Sequence, residues 1–422
     1  MLENFQNHIN QKFAFLANKK LLVASSGGLD SMVMVHVFNK LKYDIAIVHC
    51  NFQLRGLESF EDQNFVNDYA IANNIPVFIT QFDTKNFASD YKLTTQVAAR
   101  ALRYDWFYEL LETQNFDYIL TAHHADDDLE TFIINLSRAS GLKGLVGIPP
   151  ENDKVVRPFL AFSRQELEAY ASENQLKWRE DSSNATDKYL RNKIRHQIVP
   201  VLKELSPNFL ESFQKSLQFL QESHAMAEDA AVMVYQQVAS ELNDTIVFDS
   251  KKLKTLPNYK SYLYHWLHEF GFTAWNDIYD LVDAQSGKII YAADYQLLKN
   301  RNQLILLPIV EQISEEFLIV KGQLEVKNLI NLSICQVNDI CEPNQNTIFV
   351  DEDKLNFPLK IRKWKTGDIF YPFGMNGQSK KVSKFFKDSK LSMLEKQQTW
   401  VLLSNNRIVR LAVDLLSKQF YY

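Results

Sequence analysis

The chain of 422 residues has only three cysteines, Cys50, Cys335 and Cys341. None stands in a CxxC pair or at metal-ligand spacing, so neither a disulfide framework nor a zinc or iron–sulfur centre is supported. Uninterrupted apolar runs of transmembrane length are missing as well, and the N-terminal MLENFQNHINQKFAFL carries Glu3 and no apolar segment of signal-peptide type. A cytoplasmic address with no membrane partner is expected. Charge is nearly balanced, 46 Lys and Arg against 51 Asp and Glu, and the net −5 argues weakly against a nucleic-acid partner for the chain as a whole. Length allows two to four domains.

What is present begins at residues 20–31, KLLVASSGGLDS, followed by a helically spaced apolar run, SMVMVHVF. This reads as a strand, a tight glycine turn and a helix N-terminus. Gly27 and Gly28 are expected to take positive φ and let successive N–H groups converge on a phosphate at the positive end of the helix. The Walker spacing and its lysine are absent, so γ-phosphoryl transfer is a poor fit. The string Ser26-Gly27-Gly28-Leu29-Asp30-Ser31 resembles the pyrophosphate-binding loop of the PP-loop ATP pyrophosphatases, which cut ATP between the α and β phosphates. That resemblance implies an ATP site on all six residues, with Ser26 and Ser31 donating to phosphate oxygens and Asp30 helping to hold Mg2+. The plainer reading is an N-cap serine and a first-turn carboxylate favoured by the helix dipole.

From residue 20 strands and helices alternate: KLLVAS, a helix over 31–41, DIAIVHC, a helix over 57–74, PVFITQF, a helix over 94–113, and YILTAH. Such alternation predicts a mostly parallel sheet covered on both faces. With strand order 3-2-1-4-5 the loops after the first and fourth strands are neighbours, at the end of the sheet where ligands bind. The second loop is Ala122-His123-His124-Ala125-Asp126-Asp127-Asp128-Leu129-Glu130. Glu130 lies four residues after Asp126 and three after Asp127, spacing that places carboxylates on one helix face. Clustered acids repel unless a cation arrives, which suggests Mg2+, an ammonium group or both, although an acid-rich first turn also suits the dipole by itself.

The stretch AHHADDDLETFIINLSRASGLKGLVGI resembles the second signature of the tRNA(Ile)-lysidine synthetase family. HCNFQLRG (49–56), AARALRY (98–104), VVRPFL (155–160) and EDSSNATDKYLRNKIRHQIVP (180–200) resemble family segments in the same order. The resemblance implies a ligase that uses ATP to adenylate the wobble cytidine of a CAU-anticodon isoleucine tRNA. The amine of L-lysine then displaces AMP, which leaves lysidine. It places His123, Asp127 and Glu130 at the lysine, Asp30 and Glu130 at Mg2+, and Arg100 or Arg103 at phosphate, spacing not deciding which. Asp30, Asp127, Arg191 and Arg195 are the expected catalytic set. Arg191 and Arg195 lie four apart on an expected helix, where they face either one polyanion or solvent.

Beyond Pro200 the alternation stops. The expected organisation is a parallel-sheet catalytic domain of adenine nucleotide alpha hydrolase type (1–205), a mainly helical tRNA-binding middle domain (206–310), and a small strand-rich α+β C-terminal tRNA-binding domain (326–422), with 308–325 as linker. In the middle domain GKIIYAADYQLLKNRNQLILL is hairpin-like, and the aromatics of NYKSYLYHWLHEFGF suit core better than base stacking. Residues 360–390 hold nine basic side chains against two acids, a local +7 on a chain of net −5. Lys380, Lys384 and Lys387 are expected on one helix face, and Lys380, Lys381 and Lys384 are the candidate tRNA contacts. The segment LSMLEKQQTWVLL (391–403) departs from the family pattern. Other readings are a PP-loop tRNA thiolase, a small-molecule amide ligase, and a noncatalytic nucleotide- or RNA-binding protein. A homodimer stays open.

Overall fold

The computed structural model describes every residue except 181–189, 207, 243, 310–315, 323–324, 327–331, 338–348, 373–374, 376, 392, 413–419 and 422. The chain separates into two compact units, Met1–Glu228 and Asp229–Tyr422.

In the first unit the elements run α1 (Leu2–Lys12), β1 (Lys20–Ala24), α2 (Leu29–Lys40), β2 (Asp44–Asn51), α3 (Leu57–Ala72), β3 (Val77–Gln81), α4 (Thr84–Asp90), α5 (Thr95–Gln114), β4 (Tyr118–Leu120), α6 (Ala125–Ser137), α7 (Leu142–Leu145), β5 (Glu151–Asn152), β6 (Val155–Val156), α8 (Arg164–Glu173), α9 (Leu190–Lys193), α10 (Val199–Leu205) and α11 (Phe209–Val238). The sheet order is β3-β2-β1-β4-β6-β5, parallel throughout except for the edge strand β5. The expected order of the first four strands is therefore the observed one. The loops after β1 and β4 lie side by side because Leu21, Leu22 and Val23 pair with Tyr118, Ile119 and Leu120.

Strand β1 is apolar after Lys20 because both faces are covered. Leu21 and Val23 join Phe5, Ile9, Val33, Val37 and Leu167 from α1, α2 and α8, whereas Leu22 joins Phe107, Leu110 and Leu111 from α5. The first unit extends to Glu228 rather than ending near the expected 205. The start of α11 packs Phe213 and Leu217 on Leu129 of α6, with Ile194 and Val199 beside them.

The second unit opens with a five-stranded antiparallel sheet, Ala239–Leu242, Thr245–Asp249, Gln303–Pro308, Tyr295–Asn300 and Ile289–Tyr291 in spatial order. Helices Ser250–Thr255, Tyr259–Leu267 and Trp275–Leu281 cover it. Sequence periodicity recognises only the hairpin, since the other strands are short and partly exposed. Trp266 stacks on Phe248 at an interplanar angle of 9°, so the aromatic helix does supply core.

A second sheet begins at Phe317–Ile319, which pairs with Leu359–Lys363. The boundary expected at 326 thus falls too late, and the expected linker contributes a strand. Lys380 and Lys381 form a short strand against Ile369–Phe370, and the helix that follows is Val382–Asp388. Lys380 is therefore not on the helix face assigned to it. Its Nζ pairs with Asp388 at 2.8 Å and lies 5.7 Å from the Phe385 ring centre. Arg362 is bidentate to Asp368 at 2.8 Å and 2.8 Å, and Lys360 and Lys365 pair with Glu316. Of these acids only Glu316 lies outside the run, so the run's excess of positive charge largely persists, and Lys381, Lys384 and Lys387 are exposed. No helix among those described is long and apolar enough to cross a membrane.

Candidate active site

Residues 25–31 turn from β1 into α2 as expected, with one difference. Gly27 alone takes positive φ, at 84°, while Gly28 is extended at −77° and serves as the N-cap of α2. A Cβ on Gly27 would stand 3.3 Å from Val66 Cγ2 of α3, so space and backbone both demand glycine there. The serines brace the loop. Ser31 Oγ donates to Gly28 O at 2.9 Å and accepts from Ser26 N at 3.2 Å, and Ser26 Oγ accepts from Gly28 N at 3.3 Å. Either hydroxyl would have to turn to reach a phosphate.

Asp30, in the first turn of α2, meets the second loop. Its Oδ2 accepts from Arg164 Nη1 at 3.1 Å and lies 3.7 Å from His124 Nε2, while its buried Oδ1 has no partner. Burial raises its pKa despite His124 and Arg164. His124, only 2% exposed, has the Asp127 carboxylate 3.4 Å from the same Nε2 and Asp126 3.7 Å from Nδ1. Burial opposes protonation of this ring, yet Asp126, Asp127 and Asp30 together keep its pKa above the ordinary imidazole value. His123 is the reverse case. Burial, Arg157 and Arg191 push it down to about 4 against the pull of Asp127, and its Nδ1 bonds the Thr121 hydroxyl at 3.0 Å.

The acids of the HHADDD turn do not share one task. Asp126 accepts from Arg164 N at 2.8 Å and pairs with Lys203, which hold its pKa below the usual carboxylate value against the cost of burial. Asp127 accepts from His124 N at 3.1 Å and from Arg195 Nη2 at 3.2 Å. Asp128 turns away and accepts from Ile148 N at 2.6 Å. Glu130, 1% exposed, is gripped by Arg195 through Nε at 2.6 Å and Nη2 at 3.0 Å, with Arg191 Nε at 3.4 Å. The spacing argument holds for Asp127 and Glu130, which share Arg195, and not for Asp126. Both Glu130 oxygens are taken, so Glu130 does not fit the metal role given to it. Asp30, with a buried unpartnered oxygen, does fit. Among the described residues no group of three or more His, Cys, Asp or Glu forms a metal cage.

Arg191 and Arg195 do reach one site, with Arg191 Nη2 also 2.5 Å from Thr131 Oγ1. The backbone between them passes from the α9 turn into a π turn, Ile194–Ile198. Arg100 and Arg103 are exposed on α5, over the rings of Tyr104 and Phe52 at 4.7 and 5.2 Å. Sequence reasoning passed over Arg164, Lys203 and His124. The capping box Ser163–Glu166 signals the start of α8, but nothing in the string says that Arg164 meets Asp30. Likewise Arg55 and Arg179 clamp buried Asp62 at 2.6 and 2.5 Å, and Arg179 N donates to Gly27 O at 2.9 Å, which ties residue 179 to the glycine loop.

A glycine loop before one helix and an acid turn before another, on adjacent parallel strands, define an ATP-binding domain of the PP-loop class, and residues 1–202 match the PP-loop domain family. Residues 241–309 match the TilS substrate binding domain. The chain is 34% identical over 430 residues to a tRNA(Ile)-lysidine synthase of Parabacteroides distasonis, covering 100% of this chain and 96% of that one. Similar proteins of the same name occur in Bacteroides thetaiotaomicron, 33% identical over 98% of this chain and 95% of that one, and in Bacillus subtilis, 29% identical over 96% and 91%. The chain belongs to the tRNA(Ile)-lysidine synthase family.

Proposed function

We propose that the chain adenylates the wobble cytidine of a CAU-anticodon isoleucine tRNA with ATP and joins L-lysine to it, giving lysidine, AMP and pyrophosphate. The observation that carries this reading is the meeting of two loops at one buried imidazole, Asp30 from the glycine loop at 3.7 Å and Asp127 from the acid turn at 3.4 Å. On this reading phosphate chemistry and amine capture lie side by side. The loop N–H groups and the α2 N-terminus receive the phosphates. Asp30, through its open oxygen, would hold Mg2+, which when bound supplies charge neutralisation on the leaving pyrophosphate. Asp127 is kept ionised by its imidazole and guanidinium neighbours and draws the lysine ammonium; Arg195 fixes its direction. His123 stays neutral at physiological pH beside Asp127.

Three regions divide the work in this proposal, a catalytic domain near 1–205, a middle tRNA-binding region near 206–310, and a C-terminal tRNA-binding region. The exposed Lys381, Lys384 and Lys387 would meet phosphates of the tRNA body. Sulfur transfer is disfavoured because burial pushes the Cys50 thiol up to about 12, far from the thiolate such chemistry needs. The test is an omission series with ATP, tRNA and lysine. AMP and pyrophosphate formed only with tRNA, and lysine incorporated only with ATP, support the reading. Pyrophosphate release without tRNA refutes it in favour of a small-molecule ligase.

A further inference from the structure

Arg157 follows β6 in VVRPFL and took no part in the site read from the sequence. Its position is fixed by the sheet. Ile119 stands opposite Val155 and Leu120 opposite Val156, and Thr121 N donates to Val156 O at 3.0 Å. The same register sets Arg157 beside Thr121, and neighbours in parallel strands project to one face. Thr121 in turn bonds the His123 ring at 3.0 Å. Arg157 therefore belongs to the His123 side of the site.

Its charge has no counter-ion. The residue is 5% exposed, Nη1 donates to Pro149 O at 2.8 Å, Nε is buried without an acceptor, and no ion pair joins Arg157 to a described residue. Buried guanidinium groups are ordinarily paired, because a lone charge out of water is costly. The other cations of the site obey that rule: Arg195 holds Glu130 and Asp127, Arg164 holds Asp30, and Lys203 holds Asp126. Among these described cations Arg157 alone has no ion pair. Its field also helps to keep His123 neutral.

We infer that Arg157 anchors a carboxylate, that of the amino acid whose amine is delivered beside Asp127. A planar carboxylate matches the guanidinium fork, and a group so nearly sealed suits a small ligand better than the backbone of a polynucleotide. The inference rests on the lysine-joining reading above and adds a basis for choosing an amino acid over a plain amine.

The test compares L-lysine with 1,5-diaminopentane, which has both amines and no carboxylate, in transfer assays with adenylated tRNA. Wild-type protein is expected to prefer lysine by at least a hundredfold in kcat/KM. Arg157→Gln, whose amide can still reach Pro149 O, is expected to raise the KM for lysine at least tenfold with a smaller change in kcat, and to bring the two amines toward equal use. If that variant does not fold, Arg157→Lys carries the test: it keeps the charge and loses the fork, so the lysine KM should rise severalfold and an unchanged lysine KM overturns the inference. Equal use of both amines by the wild type overturns it without any variant, and so does a Gln variant that keeps full preference for lysine. A wild type that releases pyrophosphate and consumes neither amine overturns the functional reading itself, and this inference with it.

Discussion

Replacing Asp128 by Asn is expected to stabilise the first unit at neutral pH. Asp128 is 6% exposed and accepts from Ile148 N at 2.6 Å. Burial, helped by the neighbouring Asp127 charge, raises its pKa from 3.8 to about 6. At pH 7 the group is ionised folded and unfolded, so the folded state carries the cost of that difference, about 3 kcal/mol at roughly 1.4 kcal/mol per pKa unit. Asn keeps an oxygen for the Ile148 N–H but adds an amide that needs its own partner, which leaves a gain of about 1–3 kcal/mol. Because the folded pKa is the higher one, the stability Asp128 contributes is complete below about pH 4 and is lost as pH rises through about 6. The melting temperature of Asp128→Asn should therefore lie level with or below that of wild type near pH 4 and exceed it by about 2–10 °C at pH 8. Thermal unfolding across that range measures it. A separation independent of pH, or a variant that melts lower at pH 8, would refute the account of Asp128 as a buried structural carboxylate.

Asp30→Ala should abolish pyrophosphate release while leaving tRNA affinity nearly unchanged, and release at near the wild-type rate would remove the glycine loop from the chemistry. Asp127→Asn should let adenylated tRNA accumulate in single-turnover assays, because it weakens amine capture more than adenylation; if both half-reactions fall together, Asp127 serves the nucleotide instead. Arg195→Ala strands Glu130 and Asp127 without their shared cation and should cost about 3–5 kcal/mol in denaturant unfolding, whereas a loss near zero would mean that the pair is solvated. Changing Lys381, Lys384 and Lys387 together to Ala should raise the KM for tRNA far more than that for ATP or lysine. It should also flatten the salt dependence by about one unit of slope per lysine at most; unchanged affinity in a folded variant would leave tRNA to dock elsewhere.

How much of this could be read from the string depends on the range of the interaction. The β1–α2 and β4–α6 turns are local, and apolar periodicity places them to within two residues. Their adjacency follows from the topology of alternating strands and helices, a rule rather than a contact. Partners at long range leave no mark on spacing. Lys203 reaches back 77 residues to Asp126 and Arg164 reaches back 134 to Asp30, so neither could be assigned. Where a local pattern has two solutions the sequence misleads. Lys380, Lys384 and Lys387 suit one helical face, but Lys380 is held in a strand pairing, which an isolated periodicity cannot anticipate. In the five-stranded sheet of the second unit, Ala239–Leu242 and Thr245–Asp249 pair as locally as the hairpin that was read, but they are short and mostly not buried, so they leave little alternation in the sequence.

The charges of the site explain why a glycine loop without a lysine is enough for a triphosphate. Arg164, Arg191, Arg195 and Lys203 come from elements that follow the acid turn, and each is already turned on an acid of the cluster. These cations hold the acids in place and are not spare hands for phosphate. Neutralised in this way, the acids do not repel an incoming polyanion as the bare sequence suggests they would. On the proposed reading, what is left for the phosphates is the positive end of α2 and the loop N–H groups, those of Ser26 and Gly28 once released from Ser31 and Ser26. On the same reading an amine meets Asp127, which its imidazole neighbours and one guanidinium contact keep ionised, while the open oxygen of Asp30 is kept for Mg2+. The two substrates would thus meet separate complements. Arg195 is the residue on which that separation depends, since its fork reaches Glu130 and Asp127 at once. A lysine there would keep the charge and lose the second contact, freeing Asp127 to swing toward His123 and weakening the distinction between the phosphate side and the amine side.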